Sequence, residues 1–175
     1  MKSIAEKKQQ QNIGEYIIYM YQMEDLLRAF NFVLEDIEQY VVSHYPVELV
    51  EKKETVTWFA DLATQMQEEK ITQKGHLQAV QAIVDELARL HWSLLKTDKS
   101  YFEHYQLAKP HVLHMMLEEG ADEISHEVQL FFNAIYGRLL ARLQGREIPS
   151  EILEATESFG GLLSYLNEVY MHSKN

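Results

Sequence analysis

A chain of 175 residues is long enough for a compact core that buries roughly 70% of the surface its unfolded form exposes. Cysteine is absent, which excludes disulfides, thiolate metal sites and cysteine nucleophiles together. The balance of 27 acidic against 16 basic residues gives a net charge of −11, a field that repels phosphate backbones and anionic lipid and so argues against nucleic-acid and membrane-surface roles.

Residues 1–11 are charged and glutamine-rich, without the apolar stretch of a secretory signal, and no apolar run reaches the roughly 20 residues that span a bilayer. Cytoplasm is the expected compartment. Residues 1–12 read as a flexible or frayed N-terminus and residues 13–172 as one helical domain.

The first predicted helix covers residues 13–30, with Ile13, Ile17, Met20, Met23, Leu27 and Phe30 on one broad side. Asn31 is placed to cap a short second helix carrying Leu34, Ile37, Tyr40 and Val41. Pro46 suits the first turn of a third, whose seam reads Leu49, Val56, Phe59, Ala63, Met66. Lys74-Gly75 reads as a helix stop and turn. A fourth helix over 76–96 has the cleanest period: Leu77, Val80, Val84, Leu87, His91, Leu94. Residues 101–118 are helical but contain Pro110. An interior proline costs about 3 kcal/mol, so a kink or two short helices is expected, ended by Gly120. The core side there reads Val112, Leu113, Met116, Leu117. A helix over 123–144 follows, with Ile124, Val128, Phe131, Ile135 and Leu139 inward and Gly145 as its stop. The last begins near Pro149 and contains Gly160-Gly161, a costly pair that a closely packed neighbouring backbone or a local kink would explain. The fold class is all-α: a single-domain bundle of about six or seven antiparallel helices, one kinked or broken near Pro110.

The stretch Glu15-Tyr16-Ile17-Ile18-Tyr19-Met20-Tyr21-Gln22-Met23-Glu24-Asp25-Leu26-Leu27-Arg28-Ala29 resembles the opening helix of an uncharacterised bacterial family catalogued as a domain of unknown function. Gln73-Lys74-Gly75-His76-Leu77-Gln78, Leu90-His91 and Tyr136-Gly137-Arg138-Leu139-Leu140 are similar to further segments of it, in the same order. The resemblance implies a wholly helical domain of about this length and no established activity, so it carries no catalytic role onto any residue.

Three polar groupings are candidates for chemistry. Glu24 and Arg28 stand four apart in the acid-then-base order that pairs along a helix, and Glu24 falls inside the apolar arc. They read either as a structural ion pair or, with His91, as a ligand-binding pocket in the bundle interior. His91 replaces an apolar residue in its seam and so points inward; it is either a satisfied core histidine or the partner of Glu24 across a helix interface. His104, His111, His114 and Glu118 share one helix side, and His111, His114 and Glu118 are spaced to ligate a metal ion, against the plainer reading of a solvated histidine face. The Glu123-Ile124-Ser125-His126 run has the Glu-x-x-His spacing of di-iron bundles, which need two such motifs. No metalloprotease helix, phosphate loop or nucleophile elbow is present. No cofactor is expected beyond such a metal ion.

The leading expectation is therefore a non-enzymatic helical protein that binds a protein partner, a second copy of itself included. Tyr16, Tyr19, Trp58, Tyr101 and Tyr105 are the aromatic residues whose exposure would mark such a contact surface. The alternative is a small-molecule or metal-binding bundle centred on Glu24, Arg28 and His91.

Overall fold

A computed structural model describes residues 1–119 and 124–175, and every described element of regular structure in it is helical. Gly120 as a helix stop and the Glu123 end of the Glu-x-x-His run lie outside the described residues. Two compact units make up the chain, Met1–Gln81 and Ala82–Asn175.

The first unit contains α1 (Lys2–Gln11), α2 (Ile13–Ala29), α3 (Leu34–Tyr40), a 3-10 turn (Val42–His44) and α4 (Leu49–Glu68). The N-terminal segment, read from the sequence as frayed, forms α1. Its helix is fixed by burial of Met1 and Ala5 and by a hydrogen bond from Ser3 to Glu51. Asn12 separates α1 from α2 and caps the latter, its side-chain oxygen accepting from the Glu15 amide. Helix α2 then buries Ile13, Ile17, Met20, Tyr21, Met23, Glu24 and Leu27.

Asn31 caps nothing ahead of it. It sits at φ +50, past the end of α2, where its amide donates to the Arg28 carbonyl and that of Phe32 to Leu27. This is the left-handed closure that asparagine tolerates better than other side chains. Lys70 closes α4 in the same way at φ +60. Helix α4 starts at Leu49 rather than at Pro46, with Glu48 at its N-cap. Leu49 is exposed, and the seam that is buried reads Thr55, Phe59, Leu62, Ala63, Met66.

The connection after α4 turns at Gly75. Its φ of +101 is strained for any L side chain, and a Cβ there would sit 3.0 Å from Ile71 Cγ2. Gly75→Ala should lower stability by about 1–2 kcal/mol in urea unfolding. An unchanged midpoint would show that the turn reshapes freely.

The unit boundary falls in the first turn of α5 (Gln78–Thr97). Its seam of Val80, Val84, Leu87 and His91 is buried as the spacing requires. The second unit continues with α6 (Lys99–Glu119), α7 (Glu127–Leu143) and α8 (Ser150–Lys174), and α8 packs on both α6 and α7. Helix α6 runs through Pro110 as one helix, not two short ones. Pro110 and Gln106 are both exposed, so the carbonyl that proline leaves unpaired faces water. The buried side of α6 is Tyr101, Tyr105, Ala108, Val112 and Met115; Leu113 and Leu117, expected inside, are exposed. Gly145, at φ +66, stops α7 as its position predicts. Gly160 and Gly161 lie within an unbroken α8, and a Cβ at either would meet nothing within 4 Å, so no backbone packs close to them. Eight α-helices are present among the described residues, α1 being the one in excess of the sequence reading. None is long and apolar enough to cross a membrane.

Candidate functional site

In the first unit α2 presents Glu24 and Arg28 toward the connection that follows α4. Glu24 is 1% exposed. Its Oε2 lies 3.1 Å from Nδ1 of His76, and the His76 ring stacks on Tyr21 with centroids 3.7 Å apart. Arg28 does not pair with Glu24. Its Nη1 donates to Asp25 at 3.0 Å, and its Nη2 to the carbonyls of Ile71 at 2.9 Å and Gly75 at 2.5 Å. The four-residue spacing allowed the ion pair, but the guanidinium fork finds fixed carbonyls across the fold and Asp25 on its own helix. Glu24 Oε1 and Arg28 Nε are buried without a protein partner, one turn apart on α2.

His91 finds its partners in the second unit. It is fully buried, with Nδ1 2.5 Å from the Tyr101 hydroxyl and Nε2 2.9 Å from Oε2 of Glu127. Tyr105 donates to the other carboxylate oxygen at 2.8 Å. A carboxylate only accepts, so Nε2 carries the proton. In the neutral ring, Nδ1 then accepts from the Tyr101 hydroxyl. Burial first, then the charge of Glu127, raises the phenol pKa of Tyr101 far above its ordinary value. Burial and the hydrogen bond to Glu127 do the same for Tyr105. Burial works against the Glu127 charge, but the hydrogen bonds from His91 and Tyr105 outweigh it and hold the carboxyl below its usual range. Phe131, Tyr101 and Tyr105 meet the imidazole edge-on, which seals the network in aromatic carbon. The hydrogen bonds satisfy four polar groups, of which His91 and Tyr101 are 0% exposed and Glu127 keeps 16% exposure.

Helical spacing marks Glu24, Arg28 and His91 in the sequence; nothing local marks His76, the Tyr101 hydroxyl or Glu127 as their partners. These lie far along the chain, and Glu127 had no local mark beyond a place in a helix first turn. His126 is likewise unmarked as a cap. Its Nδ1 accepts from the Gln129 amide and its Nε2 donates to Asp85 at 2.9 Å, so both nitrogens are committed to holding α7.

On α6, His114 Nε2 pairs with Glu118 at 3.1 Å with both side chains more than half exposed, and His104 Nδ1 bonds the Ser100 carbonyl. His111 is half-buried. Among the described residues no group of three or more His, Asp or Glu side chains is placed to hold one metal ion, so the spacing of His111, His114 and Glu118 is not gathered into a ligand set. Tyr101 and Tyr105 are buried, and Tyr16, Tyr19 and Trp58 half-buried, so none of the five aromatic residues whose exposure would mark a contact surface is fully exposed. The exposed apolar surface of α6 comes instead from Phe102, Leu107, Leu113 and Leu117, the last at 86%.

A sequence profile described as a domain of unknown function, DUF4924, matches residues 2–175. No curated protein matches the chain. No solved structure matches it.

Proposed function

The chain belongs to the DUF4924 family, and we propose that it is a non-enzymatic helical protein that pairs with a second copy of itself through the exposed side of α6. The observation that carries this reading is the apolar content of the exposed side: Leu107 and Leu117 are more than 70% exposed, and Leu113 and Phe102 are exposed as well. A soluble helix places few such residues together on its wet side without a use for them.

Charge argues for a second copy as the occupant. Lys99, Glu103, Leu107, His114 and Glu118 follow one exposed track along α6. Lys99 approaches Glu103 near one end, and Glu118 pairs with His114 near the other. Two copies of α6 laid antiparallel, with the two-fold between residues 108 and 109, set Lys99 of each against Glu118 of the other. The same register sets Glu103 against His114 and brings the Leu107 side chains to the centre. An isologous contact of this kind needs one self-complementary patch. Exposed ion pairs contribute about 0–1 kcal/mol each, so the leucines supply the affinity and the charges fix the direction.

Sedimentation equilibrium tests this. The wild type is expected to dimerise reversibly, and Leu113→Asp with Leu117→Asp to give a monomer with unchanged helical circular dichroism. Lys99→Glu should weaken the dimer and Lys99→Glu with Glu118→Lys should restore it. A wild type that stays monomeric at the highest accessible concentration, or a dimer indifferent to the two aspartates, would overturn the proposal.

A further inference from the structure

We infer that a cleft against α7 in the second unit binds a small organic carboxylate with an apolar body. The cleft has a volume of about 330 Å³, at the small end of the range for ligand pockets. It is lined by Met115, Gly137, Ile148 and Ile152, and its cationic groups are Arg138 and Arg146.

Two observations point to a ligand. The first is Arg138. Its Nη1 donates to Thr156 Oγ1 at 3.0 Å. That hydroxyl is 2% exposed and itself donates to the Ile152 carbonyl at 2.7 Å, so the guanidinium is held rigidly by one corner. Its Nε is buried with no partner. Nε and Nη2 form the edge of the guanidinium that takes a carboxylate side-on through two parallel hydrogen bonds, and Thr156 holds the opposite corner. A cation prepositioned at a cleft wall, with a buried donor left open, is the arrangement that an incoming anion completes.

The second is Gly137. Glycine inside a helix is less favourable than alanine, and no turn or positive φ calls for it here. A Cβ on it would meet nothing within 4 Å. Gly137 lines the cleft one residue from the guanidinium, and the space beside it is open. Glu118 and Glu147 also line the cleft. Glu118 is engaged with His114, and the two acids disfavour a multiply charged anion, which selects a monocarboxylate over a phosphate. The apolar walls then take the body of the acid while Arg138 fixes its head.

Isothermal titration with straight-chain acids from butyrate to decanoate, with octanol and inorganic phosphate alongside, tests the assignment. The wild type is expected to bind one acid of intermediate length saturably, and to bind octanol and phosphate more weakly by at least about tenfold. Arg138→Lys, which keeps the charge and loses the two-pronged edge, should weaken that binding by about tenfold or more. Gly137→Leu should abolish it by placing a side chain in the cleft. Ala134→Leu, from the same wall, serves in its place if that variant does not fold. No binding across the acid series overturns the inference, as does equal binding by wild type and both variants, or tighter binding of phosphate than of any carboxylate.

Discussion

Replacing His91 with alanine should cost about 3–5 kcal/mol of stability, among the largest single-residue losses in this chain. The estimate follows from what the imidazole leaves behind. Tyr101 would retain a hydroxyl at zero exposure with no acceptor in place of Nδ1. Glu127 would retain a carboxylate in a largely buried site with one of its two donors gone. A cavity opens beside Phe131 as well. For a domain of this size the loss corresponds to a drop in Tm of about 10 °C. Tyr101→Phe removes only the first contact and should cost about 1–2 kcal/mol. The double variant should cost less than the two losses added, because both act on one network. A His91→Ala variant that loses less than about 1 kcal/mol would show that the network relaxes or hydrates without strain.

The same variant carries a pH signature. The Glu127 carboxyl is held below its ordinary pKa when folded, so its contribution is complete above the unfolded value and is lost as the pH falls through the folded one. Wild-type stability should therefore decline on acidification below about pH 4.5, the ordinary value for this carboxyl. In His91→Ala a principal donor that lowers this pKa is gone, so the acid limb attributable to Glu127 should flatten. Urea midpoints measured from neutral pH down to pH 3 for the two proteins decide it: parallel acid limbs would place the pH dependence elsewhere.

The inward direction of His91 was readable from a period of three and four, because a helix seam fixes which side a residue faces whatever its chemistry. The burial of Glu24 was readable in the same way. What each meets was not, because Tyr101 and Glu127 stand 10 and 36 residues from His91, and His76 stands 52 from Glu24. Side-chain partners across an interface depend on helix rotation and register, which spacing within one helix leaves open. Helix α6 shows where the pattern itself misleads. Its two sides carry similar apolar content, and Leu113 and Leu117 draw the eye to the wet one. The buried side, Tyr101, Tyr105, Ala108, Val112, Met115, has the more regular steps but is built from tyrosine and alanine, which hydropathy ranks low. The N-terminal helix was missed for a related reason. Lysines and glutamines dominate residues 2–11, and Met1, Ile4 and the small Ala5 are the few apolar residues the segment offers as anchors.

Arg28→Ala should destabilise the first unit by about 2–4 kcal/mol, through backbone rather than through a lost ion pair. Its bond to Asp25 is half exposed on the carboxylate side and contributes little. The two carbonyls are different. Ile71 and Gly75 flank the turn that leads from α4 into α5, and one guanidinium nitrogen gathers both. Charged donors to carbonyls contribute about 1.5–3 kcal/mol each where water is excluded; the bond to Ile71 is part-buried and carries most of the loss, while the bond to Gly75 is exposed and adds less. His76 follows Gly75 directly, so its stacking on Tyr21 and its bond to Glu24 depend on the same turn staying closed. Arg28→Lys keeps the charge but offers a flexible ammonium in place of a planar fork, and should recover less than half of the loss. Hydrogen exchange separates this account from a plain loss of charge. Amides of residues 71–76 should exchange faster in Arg28→Ala while those in the α2 seam keep their protection, and the His76 ring protons should lose the shift that the Tyr21 face imposes. Uniform loss of protection across the first unit, or a lysine variant as stable as the wild type, would mean that the charge of Arg28 and not its grip on the turn is what α2 contributes there.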